Sequence, residues 1–194
     1  MTAVLNPSQY PTAAGLPAGA VDRIAAAIEH GGVDVLERAL VELREDGVFD
    51  EQRCFVDPLP DRYSRRLVWR DEYARFVVVG MSWAPEQSAA LHDHGGFWGG
   101  EIVVAGTMRE RLYRCTARDD FGHYRFAEAA DRLADAGSAG MLAPPHEYHT
   151  FGNAGSTVAR TLHVYSGDLV AANLFLPESG AWYRAQRTVL KYDE

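Results

Sequence analysis

The chain has 194 residues, 47% hydrophobic and 11% aromatic, enough to bury a sizeable core in one domain or in one domain with a small appendage. A formal net charge of -8 at pH 7, with no basic block, argues against nucleic acid as a partner, because phosphate is met by a basic surface. Residues 1–20 hold neither a charged leader nor a continuous apolar core, and no apolar run reaches bilayer-spanning length, so the expectation is a cytoplasmic protein with no membrane partner.

Residues 1–19 carry Pro7, Pro11, Gly15, Pro17 and Gly19 and read as an arm without regular structure. From Val21 the apolar residues Val21, Ile24, Ala25 and Ile28 recur at helical spacing, with Asp22 in the first turn and Gly31-Gly32 as a stop. Val33, Leu36, Leu40 and Leu43 repeat the pattern, with Arg38, Glu42 and Glu45 facing water and Gly47 closing the helix. Asp50 to Arg62 contains Pro58 and Pro60 and reads as an irregular connection. Beyond it the period shortens. Phe76 to Trp83, Glu101 to Ala105, Arg111 to Cys115, His123 to Phe126 and Val158 to Tyr165 are short and rich in strand formers. Turn signals separate them at Gly106-Thr107, Asp119-Asp120, Gly137-Ser138, Asn153-Ala154-Gly155 and Gly167-Asp168. Asp131 to Ala136 fits neither helix nor strand cleanly. Many short strands at this spacing predict a β-sandwich or small barrel behind a helical preface. Cys54 and Cys115 form no Cys-x-x-Cys pair and read as reduced thiols, with a single bridge between them left open.

Chemistry concentrates in Leu91-His92-Asp93-His94-Gly95-Gly96-Phe97-Trp98-Gly99-Gly100. On an extended strand His92 and His94 project to one side and Asp93 to the other, so the two imidazoles can offer adjacent positions to Fe, Zn, Ni or Cu. Taken alone, one of them could equally be a hydrogen-bonded pocket residue. A second cluster, Pro144-Pro145-His146-Glu147-Tyr148-His149, offers His149 or His146 as a third ligand if a barrel register brings it alongside.

His92-x-His94, Gly106 twelve positions on, and His149-x-x-x-Asn153 match the paired motifs of cupins. The set resembles the cysteine dioxygenase family of thiol dioxygenases in particular. Thr161-Leu162-His163-Val164-Tyr165-Ser166 is similar to that family's Ser-x-His-x-Tyr strand, and Tyr63-Ser64-Arg65-Arg66-Leu67-Val68 to its Tyr-Thr-Arg-x-Leu-Val segment. The resemblance runs from about Tyr63 to Ser166. It implies an all-β cupin (jelly-roll) barrel over residues 63–194, with a tail from Pro177 that can cover its mouth. Residues 1–62 would form an arm and helical segment packed on that barrel as part of one structural domain.

The resemblance also implies roles: His92, His94 and His149 hold Fe(II), Arg65 holds the substrate carboxylate, and Tyr63 lines the pocket. The implied reaction adds both atoms of O2 to the thiol of L-cysteine, in a monomer or weak oligomer whose partners are a small thiol and O2. Arg65 favours cysteine, since the 3-mercaptopropionate branch has Gln there. Most cupins add a Glu to the first histidine motif, whereas the positions three to five after His94 are Phe97, Trp98 and Gly99. A three-histidine set is neutral and leaves the charge of a ferrous ion free to attract a thiolate. Glu101 is a weaker candidate for a fourth ligand.

Period-2 counting puts Thr161, His163 and Tyr165 on one face, where a hydroxyl–imidazole–phenol hydrogen-bond chain could aim Tyr165 at the metal. The family usually has Ser where this chain has Thr161. Animal members carry a Cys where Gly99 stands, crosslinked to the Tyr matching Tyr165; glycine here leaves Tyr165 unmodified, as in the bacterial branch. Phe97 and Trp98 read as wall or core, and Tyr148 and His146 as possible outer neighbours of the site. Other readings kept open are a dioxygenase of 3-mercaptopropionate, mercaptosuccinate or a specialised-metabolism thiol, and a non-catalytic metal- or ligand-binding cupin.

Overall fold

The computed structural model describes residues 16–30, 32–49, 52–143 and 147–194. Most of the expected arm, the side chain of Val33, and Pro144, Pro145 and His146 lie outside the described residues.

Both helices form where the apolar spacing predicts them, as α1 (Ala18–His30) and α2 (Gly32–Glu45). Ile24, Leu36, Leu40 and Leu43 are buried, while Arg38, Glu42 and Glu45 stay exposed. Gly47 ends α2 in the left-handed region at φ 73°. There its N–H donates to Arg44 O, and Val48 N–H donates to Leu43 O, which satisfies two carbonyls of the last turn.

The described residues then form eleven strands: β1 (Ser64–Arg70), β2 (Val77–Trp83), β3 (Ser88–His92), β4 (Gly99–Ala105), β5 (Thr107–Arg118), β6 (His123–Asp135), β7 (Ala139–Leu142), β8 (Tyr148–Asn153), β9 (Ala159–Tyr165), β10 (Ala171–Pro177) and β11 (Tyr183–Val189). One antiparallel sheet has the order β1-β2-β9-β4-β7, and the other, β10-β11-β6-β5-β8-β3, closes through β10 and β3. From β2 to β10 the chain changes sheet at every step except the β5–β6 hairpin. That winding is the jelly roll of cupins, the predicted fold class.

The central strands β2, β4 and β9 of the first sheet are buried on both faces, which explains why Phe76-Val77-Val78-Val79 reads as a continuous apolar run rather than an alternation. Val78, Ile102, Val104, Leu162 and Val164 pack outward against Ile24, Leu36, Leu40 and Phe49 of the helical preface. The opposite parity set, Val77, Val79, Met81, Val103 and Tyr165, faces the barrel interior. Two motif residues serve this architecture. A Cβ at Gly106, where φ is 83°, would lie 2.8 Å from Ala159 Cβ. Asn153 donates to the carbonyls of Trp83 and Thr157 and accepts from Gly155 N, joining the end of β8 to β2.

Three elements differ from expectation. The pieces at Arg111–Cys115 and His123–Phe126 belong to one long hairpin of β5 and β6, whose far half is solvated and interrupted by register shifts at Leu112/Tyr113 and Cys115/Ala117. Those breaks, together with a polar composition, hide its period, and Asp131 to Asp135 proves to be the end of β6. The tail supplies β11, paired residue for residue with β10 from Ala171↔Val189 to Pro177↔Tyr183. Its sequence, Tyr-Arg-Ala-Gln-Arg-Thr-Val, is too polar to advertise a strand. Finally, β3 ends at His92, so His94 follows the strand rather than lying on it.

Gly80 is where the preface meets the barrel. A Cβ there would lie 1.8 Å from the carbonyl oxygen of Cys54, in the 3-10 turn Gln52–Cys54 that crosses over β2. Gly80→Ala is expected to displace this backbone and lower stability by at least about 1–3 kcal/mol, the usual range for overpacking. Urea unfolding checks this; an unchanged midpoint would mean that the crossing adapts without cost.

Candidate metal centre and the adjoining cavity

Antiparallel pairing of β3 with β8 sets His92 directly opposite His149, past a register shift between Ala89 and His92. Asp93 points the other way. Its carboxylate accepts from the N–H of Gly95 and from the backbone and side-chain N–H groups of Asn173 on β10, at 2.8–3.0 Å. This fixes the chain as it leaves β3, and Gly95 and Gly96 then turn it at φ 62° and 91° toward β4. His94 is carried inward by that anchored turn. One ring nitrogen from each of His92, His94 and His149 lies within 4.8 Å of the others.

The hydrogen bonds select the tautomers. His92 Nδ1 is 2.8 Å from Ala90 O, which can only accept, so Nδ1 carries the proton and Nε2 a lone pair. His149 Nδ1 is 3.2 Å from Glu110 Oε1, which leaves its Nε2 as the lone-pair donor. The two Nε2 atoms face each other at 3.2 Å. Burial, the largest effect on each, lowers the pKa of all three rings, those of His94 and His149 well below the ordinary histidine value, so the imidazoles are neutral.

This donor set fits a borderline first-row metal ion. Bonds of about 2.0–2.1 Å at angles between square and tetrahedral put neighbouring nitrogens about 2.8–3.4 Å apart, a range that includes the observed separation. Among the described residues no carboxylate joins the cluster. Glu101, the weaker candidate for a fourth ligand, pairs across β4 and β9 with His163, its Oε2 3.4 Å from His163 Nδ1.

Glu110 is the site residue that sequence reading missed. Arg132 grips its other oxygen through Nε at 2.7 Å and Nη2 at 2.5 Å, so the carboxylate is held rigidly while it orients His149. Burial pushes the Glu110 carboxyl up, and the Arg132 guanidinium opposes this. A signal existed: Met108 and Glu110 share the inward parity of β5, so an acid stood at an apolar position.

Thr161, His163 and Tyr165 are buried on the interior face of β9, beside the histidine cluster. Trp83 Nε1 donates to Thr161 Oγ1 at 2.9 Å, and Thr161 Oγ1 is 2.8 Å from His163 Nε2. The expected chain does not run on to the phenol. His163 turns its remaining nitrogen to Glu101, and its ring stacks on Tyr165 at 5.9 Å and 15°, the side-by-side arrangement of residues two apart on a strand. Burial lowers His163 to about 3 and raises Tyr165 above the ordinary tyrosine value, so the imidazole is neutral and the phenol protonated. Tyr165 also meets His94 edge to face, with centroids 5.2 Å apart. Gly99 makes that contact possible: a Cβ there would lie 3.0 Å from Tyr165 Cδ1 and 3.3 Å from His94 Nδ1.

A cavity of about 230 Å³ opens beside the cluster, lined by His92, His149, His163, Tyr165, Arg65 and Tyr63 together with apolar side chains. Tyr63 stacks on Trp83 with centroids 4.1 Å apart. Arg65 is 4% exposed, and its guanidinium meets only long contacts to backbone carbonyls, at 3.4 Å from Lys191 O and 3.5 Å from Leu169 O. Among the described residues its side chain has no carboxylate partner. Phe97 and Trp98 join the two apolar cores, and Tyr148 packs away from the cluster against Phe126 and Phe175. His146 lies outside the described residues.

No family model matches the chain. Among solved structures it is similar to TT1209 of Thermus thermophilus, at a TM-score of 0.47 and 18% identity, over 60% of this chain and 92% of that one. It is similar also to a conserved Klebsiella pneumoniae protein with a double-stranded β-helix domain, at a TM-score of 0.44 and 19% identity, over 68% and 91%. An oxalate oxidase structure with glycolate gives a TM-score of 0.42 and 16% identity, over 56% of this chain and 53% of that one. By its own strand winding the chain has the cupin fold, and its three converging histidines could hold a metal ion.

Removing the charge that orients His149, by Glu110→Gln, is expected to weaken metal binding about 10- to 100-fold. Competition against a chromophoric chelator measures this, and undiminished affinity would show that Glu110 does not support the ligand.

Proposed function

We propose that the chain is an iron(II)-dependent dioxygenase that adds both atoms of O2 to the thiol of L-cysteine and yields cysteine sulfinic acid. The observation that carries the reading is a single cavity that holds imidazole donors, a buried guanidinium and a protonated phenol, with no carboxylate on the donors or on the guanidinium side chain among the described residues. The stoichiometry is self-contained. The S–H becomes a sulfinic acid with two new S–O bonds, sulfur gives up four electrons, and O2 accepts them without a further reductant.

Bound iron(II) would supply a redox-active Lewis acid for thiolate and dioxygen, which the three neutral imidazoles leave with its full charge. The chain's own residues do the rest. Arg65 presents a planar fork to the substrate carboxylate from a site where desolvation strengthens the pairing. Tyr165, kept protonated by burial, can donate a hydrogen bond to oxygen held near the histidines, with Gly99 leaving its ring room. His163, bonded to Thr161 and stacked on Tyr165, fixes the ring rather than relaying its proton. Holding carboxylate and sulfur at opposite ends of a small cavity supplies the proximity that oxygen transfer requires.

One observation favours a second reading. Among the described residues the cavity lining contains no acidic side chain to pair with a substrate ammonium. A thiol that carries a carboxylate and no amine, such as 3-mercaptopropionate, would therefore also suit it, as would mercaptosuccinate or a related specialised-metabolism thiol. A non-catalytic ligand-binding cupin would keep the donors and show no turnover.

Oxygen uptake by the iron-loaded protein across a thiol panel is expected to be largest with cysteine, with one sulfinate formed per O2 consumed. Uptake with no thiol would remove the enzyme reading. Arg65→Gln should raise KM for cysteine about 10-fold or more, the worth of a charge-assisted hydrogen bond, at unchanged iron content. An unaltered KM would take Arg65 out of carboxylate binding.

A further inference from the structure

Everything that holds the Arg65 guanidinium comes from outside its own strand. Nη2 reaches Leu169 O, Nη1 reaches Lys191 O, and the cation lies 5.3 Å from the centroid of the Tyr192 ring. The last two contacts belong to residues 190–193, which continue from the end of β11 and lie along β1 like a strap. Four attachments hold the strap. Leu190 N donates to Val170 O, Asp193 N donates to Arg65 O, and the Asp193 carboxylate accepts from Arg65 N. That carboxylate also takes both guanidinium nitrogens of Arg62, at 2.9 and 2.6 Å. Tyr192 is fixed separately: its hydroxyl donates to Asp168 Oδ1 at 3.1 Å, while Arg70 binds Asp168 Oδ2 at 2.8 Å. Leu190 contributes to the cavity wall.

We infer that the strap of residues 190–193 is part of the substrate site, with Tyr192 as the positioning residue that sets the Arg65 fork for a carboxylate-bearing ligand. The ring supports the cation through its quadrupole without neutralising it, whereas an acidic residue in the same place would compete with the ligand. Lys191 contributes only its carbonyl, and the Asp193 carboxylate takes its hydrogen bonds from Arg62 and from backbone, so it does not fill the guanidinium fork of Arg65. The Asp168 hydrogen bond holds the ring in place. This inference rests on the reading of Arg65 as a carboxylate anchor.

The test compares Tyr192→Leu, which keeps an apolar side chain beside Arg65 and removes the π face, with Tyr192→Phe, which keeps the face. Kinetics are followed with cysteine and with cysteamine, its analogue without the carboxylate. Tyr192→Leu should raise KM for cysteine about 10-fold, the upper range for a desolvated cation–π contact, with kcat within about 2-fold and cysteamine parameters unmoved. Tyr192→Phe, which keeps the π face and loses only the Asp168 hydrogen bond, should raise KM for cysteine less than Tyr192→Leu does. Equal losses on the two thiols, or an unchanged KM for cysteine, would overturn the positioning role. Should no thiol be oxidised, calorimetric titration of the metal-free chain with cysteine makes the same comparison. A larger loss of affinity in Tyr192→Leu than in Tyr192→Phe supports the inference although the oxidation reading has failed. Absence of cysteine binding to the parent chain, or equal affinity of parent and Tyr192→Leu, overturns it.

Discussion

Two nitrogen lone pairs facing each other at 3.2 Å repel unless a proton or a cation lies between them, and the barrel holds the Nε2 atoms of His92 and His149 at that separation. Both rings have their other nitrogen committed, one to the Ala90 carbonyl and one to Glu110, so neither can rotate out of the conflict without losing a hydrogen bond. Burial removes the remaining escape, since it disfavours the imidazolium that would turn one ring into a donor. The result is a pair of basic nitrogens converging on one point, with His94 as a third partner and no compensating anion among them.

The rest of the fold maintains that geometry. The helical preface covers the outer face of one sheet, which lets β2, β4 and β9 be apolar on both sides and so rigid where they carry Tyr165 and His163. Asp93 bridges the chain leaving β3 to β10, and Arg132 clamps Glu110 against His149. Polar groups outside the three histidines thus decide where His92 and His149 point.

Much of this was legible from the residues. Helical spacing marked both helices and Gly47 the end of the second, while Gly31 of the expected Gly31-Gly32 stop lies outside the described residues and Gly32 opens α2; strand parity gave the common face of Thr161, His163 and Tyr165. The pairing of His92 with His149 was readable only as a possibility, because register between strands 57 positions apart is set by long-range packing. Glu110 escaped because an acid among alternating arginines on β5 resembles a solvated face until its inward parity is noticed. The same holds for β11 and the strap: Arg184, Gln186 and Arg187 carry no apolar period, and the value of Tyr192 and Asp193 lies in what they meet far away in the chain, at Arg62, Arg65 and Asp168. The hydroxyl–imidazole–phenol chain failed for a local reason. Once Thr161 occupies one nitrogen of His163, the cross-strand neighbour Glu101 is better placed than Tyr165 to meet the other.

The strap also divides the cavity by chain connectivity. The histidine pair closes across 57 residues, whereas the Arg65–Asp193 contact closes across 128, and the longer loop costs about 0.7 kcal/mol more in chain entropy. During folding, the imidazole wall is therefore the half assembled from nearer parts of the chain. The cation wall depends on the start of β1 meeting residues 190–193, and so on the contact that spans the longer stretch of chain.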